Sequence, residues 1–286
     1  MTRITSLLMA IAAAALYGSG SAHPVARANV EHAHPNCLAS TIMGRDELLR
    51  VRKRAVDWGY EGAKGPFYWS TINPNYTSCS TGRFQSPVDI DSTIPATYDT
   101  PVEFYYPDNF TNVQVENLGF TVELFAPAKT AYIVRDGVKY YLANFHFHAP
   151  AEHHVEGKAH PAELHMVHRS DNGSITVLAL YVENYNYEPQ YWLDLFLKHV
   201  PRNETAPALT VPVYPIETLV GYFKNSELYW YYDGSLTAPP CTEGVHWIIA
   251  SRPIPATKKE LEWLGFLMDF NARPSQKNDN VPSSLH

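Results

Sequence analysis

Past its first two dozen residues, the 286-residue chain has no run long or apolar enough to cross a membrane, because a spanning helix takes about 20 apolar residues in succession. Its polar C-terminus also lacks the hydrophobic tail of a lipid-anchor signal. Charge is sparse and of the wrong sign for nucleic acid: 18% of residues are charged and the formal net charge is −7, whereas such partners require a basic face. There is no internal repeat and no Gly/Ser-rich linker, and H-E-x-x-H, the signature of zincin peptidases, is missing. Cysteine is scarce as well: three are present, so three pairs are open and any pairing leaves one over.

What is present begins with a leader. Arg3, an apolar stretch from Leu7 to Leu16 and small residues from Gly18 to Ala22 read as a secretory signal peptide over residues 1–22. Residues 23–54 are polar and basic, show no sustained periodicity and end in Arg52, Lys53 and Arg54; they read as a propeptide or a solvated arm, with Cys37 inside it. Residues 1–54 hold seven Lys or Arg and three Asp or Glu, so their removal takes the net charge from −7 to −11. Asn75, Asn109, Asn172 and Asn203 each open an N-x-[ST] sequon, the acceptor pattern for glycosylation in a secreted, extracellular protein.

Residues 55–286 remain and read as one domain. Short β-like runs at Val113–Phe125, Tyr132–Val134, Ile175–Tyr181 and Val245–Ser251 are punctuated by turn residues. Few helices are expected. One covers Gln190–His199, and Thr257 with Glu260 makes a capping box before an apolar run to Met268. The expected class is mainly β (α+β): a large, mostly antiparallel sheet with short peripheral helices.

Chemistry is concentrated between Tyr141 and Arg169. His146 and His148 stand two apart in an apolar run, and in a strand residues i and i+2 share a face. After a polar, glycine-containing turn the alternation resumes through Glu163, Leu164, His165, Met166 and Val167, which sets His165 on a neighbouring strand facing the first two. A lone His-x-His is more often a pair of surface or core histidines. Three imidazoles converging from two antiparallel strands are instead the ligand set of a catalytic zinc ion that keeps a fourth position for water. Asn144 and Glu163 each precede a ligand by two residues on its side of the strand, where a group that fixes the imidazole tautomer is needed.

The pattern N-F-H-F-H, E-H-x-V, E-L-H-x-V-H closely resembles the α-class carbonic anhydrases. The similarity runs from Trp58 almost to the C-terminus: Trp58, Gly59 and Tyr60; Gly65, Pro66 and Trp69; Gln85 to Ile90; Tyr229 to Pro240; and Asn271, Arg273, Pro274 and Gln276. The resemblance implies a twisted sheet of about ten strands, cis bonds before Pro87 and Pro240, and a disulfide between Cys79 and Cys241, the couple left once Cys37 is set aside in the arm. Closing a loop of that length is worth roughly 4 to 5 kcal/mol in the chain-entropy model.

The resemblance also implies reversible hydration of carbon dioxide to bicarbonate by hydroxide on Zn2+ held by His146, His148 and His165. Carbonic anhydrase is a standard illustration of such a site, with a water pKa of ~7. Thr237 and Glu152 would orient the hydroxide, Thr237 donating to Glu152. Val167, Val177, Leu236 and Trp247 would wall an apolar substrate pocket. Asn144 would hold His146, the backbone near Asn271 would hold His148, and Glu163 would hold His165. His153 is expected as a buried hydrogen-bonding group, and His154, His160, His168, His199 and His246 in surface or structural roles.

Three departures stand out. Phe120 occupies the place of the usual proton-shuttling His, Ala238 that of a common hydroxyl residue, and Ala149 with Pro150 that of a usual Trp. A working enzyme limited by proton export follows from the first. The rival readings are a catalytically silent binding domain of the same fold and a zinc hydrolase acting mainly on esters. Carbon dioxide and bicarbonate are the expected small-molecule partners; neither nucleic acid nor membrane is expected, and nothing in the chain sets an oligomeric state.

Overall fold

The computed structural model describes residues 57–185 and 188–279. The signal peptide, the basic arm and Cys37 lie outside the described residues. Fourteen strands form: β1 (Asp89–Ile90), β2 (Ala96–Thr97), β3 (Glu103–Tyr105), β4 (Phe110–Asn117), β5 (Val122–Phe125), β6 (Tyr132–Arg135), β7 (Val138–His148), β8 (His154–Val155), β9 (Lys158–Ala159), β10 (Ala162–Ser170), β11 (Ile175–Asn184), β12 (Leu209–Tyr214), β13 (Tyr229–Ser235) and β14 (Glu243–Ala256). Eleven of them make one sheet in the order β12-β4-β5-β7-β10-β11-β14-β13-β2, with β6 paired to β7 and β3 to β6. β1, β8 and β9 make a small separate sheet. Every pair in the large sheet is antiparallel except β11 with β14. The mainly β expectation is met.

Among the described residues helices are few, as expected. The longer ones are α1 (Tyr191–His199), α2 (Ile216–Lys224) and α3 (Lys258–Met268). Thr257 caps α3 with the reciprocal box read from the sequence: its hydroxyl accepts the Glu260 amide while the Glu260 carboxylate accepts the Thr257 amide. α2 carries no such signal, having Pro215 at its N-cap and no capping side chain. The run Val113–Phe125 is two strands rather than one. Gly119 at φ +86° turns the chain between β4 and β5, and Asn117 Oδ1 accepts the Gly119 amide at 2.8 Å.

Side chains alternate across the strands, so each central strand serves two layers. Phe145 and Phe147 of β7, Leu164 and Met166 of β10, Leu178 and Leu180 of β11, and Ile248 and Ala250 of β14 pack on one face in a core completed by Trp192, Phe196, Leu219, Phe223 and Leu264 from the helices. The opposite face carries Asn144, His146, His148, Glu163, His165 and Val167. Around Ala143 the register slips: Val167 pairs with Asn144 but the next residue, His168, pairs with Leu142. This bulge reverses the phase of β7, so Tyr140 and Leu142 join the helical core while the histidine-bearing half looks the other way.

Disulfide Cys79–Cys241 joins positions 162 residues apart. Peptide bonds before Pro87, Pro150 and Pro240 are cis. The first and last match the resemblance, and the one at Ala149–Pro150 falls where the chain departs from the usual Trp.

Candidate metal centre

Two adjacent rows cross the sheet on the face away from the helices. One runs Glu116, Glu123, His146, His165, Ala179, Ile249, and the next Asn144, Val167, Val177, Trp247, Tyr232. The first brings His146 of β7 directly opposite His165 of β10, with His148 one row further along. All three imidazoles are buried, and one ligating atom from each lies within 4.8 Å of the other two.

Each ring has its second nitrogen committed outward. His146 Nδ1 is 3.1 Å from Asn144 Oδ1, His148 Nδ1 is 2.8 Å from the Asn271 carbonyl, and His165 Nε2 is 2.8 Å from Glu163 Oε1. These partners are oxygen acceptors, so each ring donates an N–H to them and keeps a lone pair on the inward nitrogen. Burial pushes His146 well below the ordinary imidazole range, and the neighbouring His148 and His165 push it further down. Burial likewise lowers His148, opposed by the Glu152 charge. Neutral, lone-pair-bearing rings are what a metal requires.

Glu163 anchors the arrangement. Its Oε2 accepts the amides of Glu152 and His153, both at 2.8 Å, and its Oε1 accepts from His153 at 2.7 Å and from His165. Burial alone would raise this carboxyl, but the neighbouring His153 and His165 and the hydrogen bonds they donate outweigh it and hold the group well below the usual carboxylate range. With its acceptors in use, Glu163 is a support rather than a ligand, and the alternative cluster of His153, Glu163 and His165 is a hydrogen-bonded set.

His148 Nε2 and Glu152 Oε2 are buried, have no hydrogen-bond partner and lie 3.4 Å apart. Orphaned buried polar atoms carry a desolvation cost, and a divalent cation among the three inward nitrogens would relieve it. The residues therefore fit a three-histidine Zn2+ site. The expected bond from Thr237 to Glu152 is not made: Oε1 accepts the Arg273 amide at 2.9 Å and Oε2 turns toward the imidazoles. Thr237 itself is buried.

Val167, Val177 and Trp247 form consecutive members of the second row, buried together, with Leu236 packed against them. The Trp247 and His165 rings lie 4.8 Å apart, centroid to centroid. Phe120 is buried against Trp58, ring centroids 4.8 Å apart, in an apolar cluster with Ala238 and the disulfide. Arg273, Ser86 and Tyr232 acquire parts that sequence reasoning did not give them, although each sits in a quoted motif. The Arg273 guanidinium, brought down to about 10 by burial, donates to Gln85, Ser86 and Cys79. Glu116 and Glu123 are buried carboxylates that extend the first row past His146, and the alternation Glu116, Glu123 within β-like runs was their only sequence signal.

Comparison with known proteins agrees with this geometry. A family model described as eukaryotic-type carbonic anhydrase matches residues 64–281. The chain belongs to that family. The carbonic anhydrase of Pectobacterium atrosepticum is 32% identical over 224 residues, covering 78% of this chain and 88% of its own. Alpha carbonic anhydrase 5 of Arabidopsis thaliana is 30% identical over 245 residues, covering 81% and 85%. Among solved structures, the α-carbonic anhydrase of Thermovibrio ammonificans, in complex with the inhibitor sulfanilamide, superposes with a TM-score of 0.70 at 35% identity, covering 79% of this chain and 97% of that one. Carbonic anhydrase membership accounts for the sheet.

Proposed function

We infer that this chain is a zinc enzyme that catalyses the reversible hydration of carbon dioxide to bicarbonate and a proton. The observation that carries the reading is the set of three buried imidazoles, each tied outward to an oxygen acceptor with its lone pair turned inward, beside an apolar row. Bound Zn2+ supplies a nucleophile at neutral pH by lowering the pKa of a water to ~7. The chain's own residues do the rest. Val167, Val177, Leu236 and Trp247 exclude water from a space suited to a small uncharged substrate. Glu152 Oε2 is an uncommitted acceptor at the centre. A Thr237 hydroxyl donating to it retains lone pairs to hold the nucleophile's hydrogen away from the substrate.

The product proton must leave, and Phe120 cannot carry it. Turnover is therefore limited by transfer to external buffer. Residues 55–286 are the catalytic domain in this reading, delivered to the extracellular side by residues 1–22, with residues 23–54 removed or solvated. In support, the four sequon asparagines Asn75, Asn109, Asn172 and Asn203 are all exposed. Among the described residues no helix is long and apolar enough to cross a membrane.

Stopped-flow hydration on the zinc-loaded protein tests the reading, with buffer concentration varied and His165→Ala as control. The expected result is hydration that rises with buffer and vanishes in the control. Stoichiometric zinc without hydration would favour a silent binding domain instead.

A further inference from the structure

α3 ends in aromatic side chains that the fold leaves in water. Its inner face buries Leu264, Leu267 and Met268, while Trp263 is 36% exposed, Phe266 64%, and Phe270, two residues past the helix, 50%. Trp263 and Phe266 stand three apart and so meet on the helix surface; their rings stack with centroids 5.2 Å apart and planes 22° from parallel. Single exposed apolar residues need no explanation. Three within eight residues, two of them stacked on each other, are a patch of the kind that marks an interaction site.

Beside this patch the chain enters the domain. The described residues begin at Asp57. Trp58 packs on Phe120, ring centroids 4.8 Å apart, and the Phe120 carbonyl accepts from Asn271 Nδ2 at 2.7 Å, next in sequence to Phe270. Asn117, at the start of the same turn, donates to the carbonyls of Pro201 at 3.1 Å and Leu267 at 3.5 Å, which ties in the end of α3 and the loop that carries Glu204. Extended chain from Leu49 to Asp57 spans up to about 27 Å, whereas α3 from Trp263 to Met268 is only about 8 Å long. Residues just before Asp57 therefore reach the whole patch.

The segment and the surface match in polarity and in charge. Residues 38–54 hold Leu38, Ile42, Met43, Leu48, Leu49 and Val51, and five Lys or Arg against two acids. Facing them, Asp269 and Glu204 are exposed carboxylates with no ion-pair partner among the described residues. Glu204 is laid against the Phe120 turn, its Oε2 2.8 Å from where a Cβ on Gly119 would stand. We propose that in the uncut chain residues 38–54 fold back on the end of α3, apolar side chains against Trp263, Phe266 and Phe270 and basic ones toward Asp269 and Glu204. Uncut, this half of the arm is packed rather than solvated, a cover that a cut after Arg54 releases.

Hydroxyl-radical footprinting of the secreted chain with residues 23–54 retained tests this, because oxidation of an aromatic side chain follows its access to water. Trp263, Phe266 and Phe270 are expected to label slowly in the wild type and severalfold faster in the double variant Leu48→Asp, Leu49→Asp, with the exposed Tyr98 unchanged as the internal reference. Both substitutions lie outside the folded domain. A second variant, Arg50→Glu with Arg52→Glu, is expected to raise labelling in the same direction. Carbodiimide, which joins an amine to a carboxylate in contact with it, is expected to link Lys53 to Asp269 or Glu204. Full labelling of the three aromatics in the wild type would overturn the proposal. So would protection that survives in both variants: if it fades on dilution, a second copy of the chain covers the patch, and if it does not, another partner does. No outcome depends on a bound metal.

Discussion

Glu163 accepts four hydrogen bonds through two oxygens, and an amide of the same size cannot. In Glu163→Gln the NH2 group must face either two main-chain amides or two imidazoles, so a donor meets donors. Zinc affinity, measured by competition with a chelator, is expected to fall by about 10- to 100-fold. At Phe120 the effect has the opposite sign: Phe120→His is expected to raise turnover at low buffer, and stopped flow over a buffer series checks it. No gain would mean that protons already leave by another route. The convergence of His146, His148 and His165 was legible because residues two apart on a strand share a face and the alternation resumes on the next strand. The sequence led to a Thr237–Glu152 bond that is not made, because the spacing of the residues does not tell which way the Glu152 carboxylate turns.

Elements carry a different set of consequences. Alternation along β10 puts His168 on the same face as the core residues Leu164 and Met166, where its ring bonds Tyr106 and the Met166 carbonyl. Burial lowers His168 to about 3 despite its backbone hydrogen bonds. The unfolded chain binds this proton near pH 6.5 and the folded one does not, so stability is full above pH 6.5 and falls on acidification toward pH 3. The slope for one proton is about 1.4 kcal/mol per pH unit. Urea unfolding from pH 7 to pH 5 should show the gap between wild type and His168→Gln narrowing as the pH drops. For α3, Thr257→Ala removes both the acceptor for the Glu260 amide and the hydroxyl bonded to its carboxylate, and is expected to cost ~1 kcal/mol in the same assay. The capping box was readable because the contacts that make it lie three residues apart. The bulge was not, since Tyr140 to Ala143 is apolar throughout and hides the point at which the core positions change from Leu142 to Phe145, and α2 was missed because a helix opened by Pro215 without a side-chain cap offers only its apolar pattern.

For the whole molecule the disulfide is the longest covalent tie, joining Cys79 to Cys241 across 162 residues. Reduction is expected to cost about 2 to 5 kcal/mol, seen as a lower urea midpoint with reductant present. The sheet order itself was not in the residues: β11 lies beside β14 in parallel, a pairing that requires a long crossover, and only the resemblance implied such a sheet. That topology sets an order of events. His146, His148 and His165 belong to strands that are neighbours in sequence and in the sheet, whereas the carbonyl that orients His148 comes from Asn271, 123 residues later. A nascent chain that has been synthesised only as far as Ser170 already holds all three of these imidazoles and none of Trp247, Thr237 or Asn271. If the centre holds zinc as proposed, the ligands for the ion are local in the chain, and the groups that tune its reactivity are remote from them.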